Sequence, residues 1–207
     1  MELVDSTCPP LDPSLGEPNG RTVEFFKASG CRRFAEIGVY KGDTARQIAE
    51  HLAGEGEIHL FDFEDNVRAV AATLTAAGHV NVVAHGNSRK LLDSYNWSLM
   101  RLLRDRCEPM FDYVFLDGAH TWALDALAFL LVDRLLVNGG YVDFDDYWWT
   151  TASSPTMNPE AFGATSRLYT EEQIEERQVA LVVDLLVRQD TRYCEVVDNK
   201  IFRKCAP

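Results

Sequence analysis

Three aspartates and a histidine stand in this chain where chemistry can be done. Asp117 ends the apolar run Val114–Leu116, and His120 follows it in the stretch VFLDGAHTW. Asp145 and Asp146 end a second mostly apolar run in GGYVDFDDY. If the two runs are parallel neighbours, their ends lie about 4.8 Å apart, beyond the sheet edge where ligands sit. Three carboxylates gathered there suit Mg2+ or a similar ion, leaving positions for water and substrate oxygens. Such an ion lowers the pKa of a bound hydroxyl and orients it. An imidazole beside it can take the released proton. Two competing readings stay open. Asp145 and Asp146 face opposite sides of a regular strand, so both serve one ion only if the strand has already ended; otherwise Asp145 caps the strand and Asp146 is solvated. His120 could equally make a structural hydrogen bond or begin a helix.

A second set of residues lies earlier, in FAEIGVYKGDTA, Phe34–Ala45. An apolar run reaches Glu36, bends at Gly38 and again at Gly42, and enters a helical stretch near Thr44. Glycine admits unusual backbone angles and close approach of a ligand. The free N–H groups of the following helix suit an anionic group. The spacing is G-x-x-x-G, not the G-x-G-x-x-G of the nicotinamide fingerprint. An ordinary strand-to-helix turn is the bland alternative. Asp62 ends the next apolar run, about 20 residues past the loop, where an acid accepts hydrogen bonds from a ribose. A solvated strand-end acid is its alternative.

These residues need a scaffold that delivers strand ends to one edge, and the hydrophobic pattern predicts one. A short helix over Thr22–Ala28 precedes alternating strands and helices. Strands are predicted at Arg33–Gly38, Glu57–Asp62, Asn81–Ala84, Asp112–Asp117 and Gly140–Asp145. Helices are predicted at Thr44–Leu52, Asn66–Ala77, in part of 89–105, and at Trp122–Leu136. That alternation argues for a doubly wound α/β fold with a mostly parallel sheet and helices on both faces. Residues 150–168 read as a long loop, of a length that is usually functional or mobile. Thr170-Glu-Glu-Gln173 reads as a capping box opening a helix to about Val187. Arg192–Val197 and Lys200–Arg203, around Asp198-Asn199, read as a closing antiparallel hairpin, giving seven strands. Residues 1–20 read as a flexible lead-in and 21–207 as a single domain.

Composition narrows the class. The chain has 207 residues, 46% hydrophobic and 25% charged, with a net charge of −12. These are globular values. A nucleic acid or anionic membrane partner needs a basic footprint, and no Lys/Arg block is present, although net charge alone leaves room for a local basic groove. The five cysteines are dispersed and form no CxxC pair, which predicts free thiols in a reducing compartment. No apolar run approaches the roughly 20 residues of a membrane span. The expectation is a cytoplasmic protein with a small-molecule partner, no nucleic acid and no membrane, and a homodimer is compatible with it. His51, His59, His79 and His85 read as surface or loop residues.

Glu36–Thr44, Asp62, FDYVFLDGAH at 111–120 and LLVNGGYVDFDDY at 135–147, in that order, resemble the class I S-adenosylmethionine (SAM) dependent methyltransferases. The resemblance covers about residues 20–205 and is nearest to small metal-dependent O-methyltransferases of the catechol and antibiotic-sugar types. It implies that Glu36, Gly38, Gly42 and Thr44 line the methionine end of SAM. It implies that Asp62 holds the ribose hydroxyls, and that Asn87 and Ser88 lie near the adenine. It supports Asp117, Asp145 and Asp146 as metal ligands, with Asp117 and His120 in the catalytic role; catechol-type relatives have a lysine base at the position of His120. Sugar-modifying relatives can carry an extra acid at the position of Ala119, and its absence here argues against an aspartate base there. Val137-Asn138-Gly139-Gly140 replaces a usual Pro-Gly-Gly, and Asn138 and Gly139 still suit a helix stop. Trp122, Tyr147, Trp148 and Trp149 could wall an acceptor site, with 150–168 closing over it. The expected activity is methyl transfer to a hydroxyl of a small acceptor. Two rivals remain: a metal-free N- or carboxylate methyltransferase, and a non-catalytic binding module of the same fold.

Overall fold

The structure, a computed structural model, describes residues 19–106 and 108–205. The expected lead-in therefore lies, up to residue 18, outside the described residues, as do Cys8 and Cys107. The elements in order are α1 (Gly20–Ser29), β1 (Arg33–Ile37), α2 (Asp43–Leu52), β2 (Glu57–Phe63), α3 (Glu64–Ala76), β3 (Val82–Asn87), α4 (Tyr95–Asp105), β4 (Phe111–Leu116), α5 (Trp122–Leu135) and β5 (Leu136–Phe144). They continue with α6 (Thr165–Leu168), α7 (Glu171–Glu175), α8 (Gln178–Val182) running into a π-helical turn over Val183–Val187, β6 (Tyr193–Val197) and β7 (Ile201–Lys204).

The seven strands form one sheet in the order β3-β2-β1-β4-β5-β7-β6. The first five are parallel, and β7 and β6 close the far edge antiparallel. The predicted α/β class, mixed sheet and C-terminal hairpin are thus what the chain adopts. β1 and β4 lie at the centre and are mostly apolar because helices cover both their faces; the exceptions are Arg33 and Glu36 in β1 and Asp112 in β4. Side chains alternate between two cores. Phe34, Leu60, Tyr113 and Phe115 pack under α1, α2 and α3. Ala35, Ile37, Val114 and Leu116 pack under α4, α5 and the helical run of α8. Phe26 meets Phe34 and Tyr113 edge-on at 5.2 and 5.3 Å, so the first helix is fastened by aromatic contacts of a favourable geometry. Among the described residues no helix is long and apolar enough to cross a membrane.

Four elements differ from the sequence reading. β3 extends to Asn87, beyond the predicted end at Ala84. α5 passes into β5 at Leu136 with no intervening turn, so Asn138 and Gly139 do not stop a helix. Gly139 lies inside β5 with φ 84°, beside a register shift in the β4–β5 pairing, which is the usual role of a glycine within a strand. The helix predicted from Thr170 to Val187 is divided. The Thr170 capping box is present, but Glu176 is extended and the chain restarts at Gln178. Gln178 explains the break: its carboxamide accepts from Trp122 N–H at 2.8 Å and donates to Gln173 C=O at 2.7 Å, fixing the corner to α5. Residues 150–168 are ordered by side-chain turns at Ser153, Ser154 and Asn158, and end in α6.

The histidine reading also changes. His59, on β2, is buried, with its Nδ1 at 2.8 Å from Nε2 of His85 on β3. His85 in turn stacks on Phe61 at 4.3 Å. The parallel register puts Phe61 opposite His85, so pairing, not periodicity, buries them. Burial, and then its neighbour His59, pushes His85 down to about 4 from its ordinary 6.5, and burial lowers His59 as well. The fold thus favours both neutral rings. Their contribution is complete above the unfolded value of 6.5 and is lost as pH falls toward about 4. The melting temperature of the wild type is expected to fall over that interval, and that of His85→Phe, which keeps the stack, to fall less. Superimposable pH profiles from calorimetric melts would remove the pair from the acid sensitivity.

Candidate functional site

The glycine loop and the end of β4 are locked together. Asp117 N–H donates to Ile37 C=O at 2.8 Å, and Gly38 N–H donates to Phe61 C=O at 2.8 Å. Gly38 has φ 88°, and a Cβ there would lie 1.8 Å from the Asp117 carbonyl oxygen. Only glycine permits that approach. Gly42, at φ 77°, precedes the first turn of α2, and its missing Cβ makes room for Val70. Asp62 ties down the loop between them: one carboxylate oxygen accepts from Val39 N–H and Tyr40 N–H, each at 3.0 Å. Its other oxygen accepts from Phe63 N–H at 2.6 Å.

Beneath the loop Glu36 is 2% exposed, and its Oε2 has no hydrogen-bond partner. Burial, then the charges of Asp117 and Asp62, hold its carboxyl well above the usual carboxylate range. Thr44 is buried in the first turn of α2, where its hydroxyl accepts from Asn19 Nδ2 at 3.2 Å. The same Asn19 amide reaches Asp117 Oδ2 at 3.4 Å.

The acids separate into two groups. β5 ends at Phe144, and Asp146 takes a left-handed φ of 59°. The strand has therefore ended before the second aspartate, which answers the facing problem raised by alternation. Asp146 turns toward Asp117: His120 Nε2 lies 3.8 Å from Asp117 Oδ1 and 3.5 Å from Asp146 Oδ2. One ligand atom from each of Asp117, His120 and Asp146 falls within 4.8 Å of the others. Asp145 instead faces Lys200, whose Nζ is 3.6 Å away. Lys200 Nζ also lies 2.9 Å from Asp143, a fully buried acid that accepts from Tyr113 Oη at 2.6 Å. Burial, then Asp145 and Asp146, pushes Asp117 up to about 8. Burial and Asp145 raise Asp146 too. A cation placed among them would relieve this repulsion.

Two cavities flank the cluster, Asp117 and His120 lining one and Asp146 the other. One, about 520 Å³, is lined by Gly38, Asp62, Asn87, Tyr95, Asp117 and His120, among others. The other, about 550 Å³, is lined by Asn19, Asp145, Asp146, Trp148, Trp149 and Lys200, among others. The His120 and Trp149 rings lie 5.2 Å apart, so the imidazole stands between them. The predicted residues therefore gather at one edge, with three exceptions in detail. Ser88 N–H and Oγ both bond Asp93, at 2.7 and 2.6 Å, which occupies its hydroxyl. Trp122 and residues 150–168 line neither cavity.

Sequence reasoning missed Tyr95, Lys200 and Asn19. Tyr95 Oη donates to the buried Asp125 at 2.5 Å and accepts from Ala119 N–H at 3.2 Å, so it shapes the turn that carries His120. A Cβ on Gly118 would come within 2.7 Å of that hydroxyl. The available signal was Ser94, a helix N-cap that puts Tyr95 at the start of α4.

The sequence family described as a methyltransferase domain matches residues 35–147. That span runs from β1 through the acids after β5 and covers more than half of the chain. The chain belongs to this family. No curated protein matches it in sequence. Solved structures match its fold. The O-methyltransferase TomG of Streptomyces achromogenes, involved in tomaymycin synthesis and in complex with SAM, is 19% identical; the match covers 94% of this chain and 83% of that one, with a TM-score of 0.60. An O-methyltransferase of Bacillus cereus, in complex with SAH, is 16% identical over 93% and 80% of the two chains, with a TM-score of 0.59. A methyltransferase of Podospora anserina bound to SAH is 16% identical over 88% and 74%, with a TM-score of 0.55. At these identities the likeness fixes the methyltransferase fold and leaves the acceptor open. Within that fold the Gly38–Asp117 contact yields a direct test. Gly38→Ala is expected to lose more than about 2 kcal/mol of stability, because left-handed strain adds to a clash with backbone. A chemical denaturation midpoint equal to wild type would contradict the close approach.

Proposed function

We propose that the chain is a SAM-dependent O-methyltransferase for a small-molecule acceptor, residues 21–207 forming its catalytic domain. One observation carries this reading: Asp117, His120 and Asp146 cluster between two cavities. The cavity with Gly38, Asp62 and Asn87 fits SAM, and the relatives TomG and the Bacillus cereus enzyme, solved with SAM and SAH, support that choice. The polar atoms also suit it. Asp62 Oδ1 accepts only from Phe63 N–H among its described contacts, leaving capacity for ribose hydroxyls. Asn87 Oδ1 is buried and unpartnered, an acceptor for an amine such as that of adenine. Glu36 Oε2, also unpartnered, lies below the loop at the methionine end, where a cationic ligand would draw its carboxyl back toward ionisation. Gly42 and Thr44 shape that end of the loop, and Ser88 acts through Asp93.

SAM supplies a methyl group on a sulfonium, which is already a good leaving group, so positioning does much of the remaining work. The cavity lined by Trp148 and Trp149 would hold the acceptor, with its hydroxyl turned toward the cluster. Asp117 and Asp146 would hold a divalent cation such as Mg2+, with Asp145 beside them; such an ion polarises an acceptor hydroxyl. His120 Nε2 would take the hydroxyl proton, as a neutral imidazole between the two cavities can. A second reading is favoured by the short distances within the cluster: His120 as the third metal ligand, an oxygen–nitrogen set that suits transition ions better than Mg2+.

Three measurements separate these readings. Calorimetry is expected to show SAM binding by the wild type and at least tenfold weaker binding by Asp62→Ala, about 1.4 kcal/mol or more. No heat from the wild type would sink the proposal. Turnover is expected to stop with a chelator and return with Mg2+ or Mn2+; turnover indifferent to the chelator would leave the metal-free rival. His120→Ala as a lost base should reduce the rate by about 10²–10⁴ while Mn2+ affinity holds. Loss of Mn2+ affinity would make His120 a ligand, and unchanged turnover would remove it from the reaction.

A further inference from the structure

Beyond the methyltransferase site, the C-terminal hairpin carries a pair of thiols. Cys194 lies on β6 opposite Arg203, and Cys205 follows β7, with its N–H donating to Arg192 C=O at 2.6 Å. The two cysteines are thus diagonal neighbours on one face of an antiparallel ladder, where side chains come within reach of each other. Their Sγ atoms are 2.8 Å apart. Cys194 is exposed and Cys205 half-buried, so an oxidant can reach them. By contrast Cys31 is sheltered, and burial pushes its thiol up to about 11.

We propose that Cys194 and Cys205 are a modification site: a disulfide that forms under oxidising conditions and fastens β7 to β6. The bonding distance is about 2.05 Å, about 0.8 Å below the present spacing of 2.8 Å. With hydrogen peroxide as oxidant, one thiolate attacks a peroxide oxygen. The O–O bond breaks, hydroxide leaves and takes up a proton, and a sulfenic acid remains. The second thiol then attacks that sulfur. The S–S bond forms, the S–O bond breaks, and water leaves with the thiol proton. Two thiols and one peroxide give one disulfide and two waters. The closed ring holds β6, the turn and β7, so it restricts the unfolded chain more than the folded one.

The test uses the whole chain treated with stoichiometric peroxide, alkylated and digested with trypsin without reduction. Cleavage after Arg192, Lys200 and Lys204 puts Cys194 in YCEVVDNK and Cys205 in CAP. The expected result is one species joining these peptides, two hydrogens lighter than their sum and abolished by dithiothreitol. The oxidised chain should melt about 5 °C above the reduced one. Cys194→Ser should show neither effect, and Cys205→Ser serves as a second variant if the first folds poorly. Recovery of the two peptides separately, each alkylated or oxidised to sulfinic acid, would overturn the proposal. So would a link from either cysteine to Cys8 or Cys107.

Discussion

The site depends on two strand ends touching where no side chain fits between them. Gly38 and the Asp117 carbonyl are in contact because β1 and β4 are adjacent and parallel and their ends are level. This contact fixes where the glycine loop begins and where Asp117 is released from the sheet. Asp62 then holds the loop by its backbone, and Gly42 sets the start of α2. Each of these steps is local, but each requires the first. A looser junction would separate the two cavities from the cluster that joins them.

The second constraint is electrostatic. Glu36, Asp117, Asp145 and Asp146 crowd one edge of the sheet, and Asp143 is buried behind them. Burial and mutual repulsion raise several of these groups, so the edge is disposed to bind protons or a cation. Lys200 partly answers that need. It pairs with Asp143 and Asp145 and leaves Asp117 and Asp146 to His120. The resulting division, with one acid held by an internal ammonium and two facing an imidazole, gives neighbouring carboxylates different tasks. The resemblance treated Asp145 and Asp146 alike as ligands, whereas the geometry distinguishes them.

Much of this was legible in the sequence, for identifiable reasons. Buried parallel strands leave near-continuous apolar runs, so β1, β2 and β4 were read close to their bounds. Acids and glycines at the ends of those runs then located the edge that carries the site. What was not legible depends on partners distant in the chain. His59 and His85 carry no periodic signal of burial, because strand pairing buries them. The corner at Gln178 comes from a carboxamide bonded across to α5. Lys200 reads as an ordinary hairpin residue until the strand order places β7 beside β5. Tyr95 sat in a mixed segment whose helix start was not resolved. Local propensity names the elements; cross-sheet contacts decide which polar residues they enclose.

The source of Lys200 has a consequence for how the molecule is assembled. Asp143 belongs to the parallel half of the sheet, which chain order delivers first. Its counter-ion arrives only with the antiparallel hairpin that follows. Until then the parallel half must carry a buried acid that is either protonated or still wet. The hairpin is therefore more than an edge strand added to a finished sheet. Its docking brings Asp143 its counter-ion and completes the wall of a cavity in one event, so a chain emerging in order gains that ion pair and that wall together.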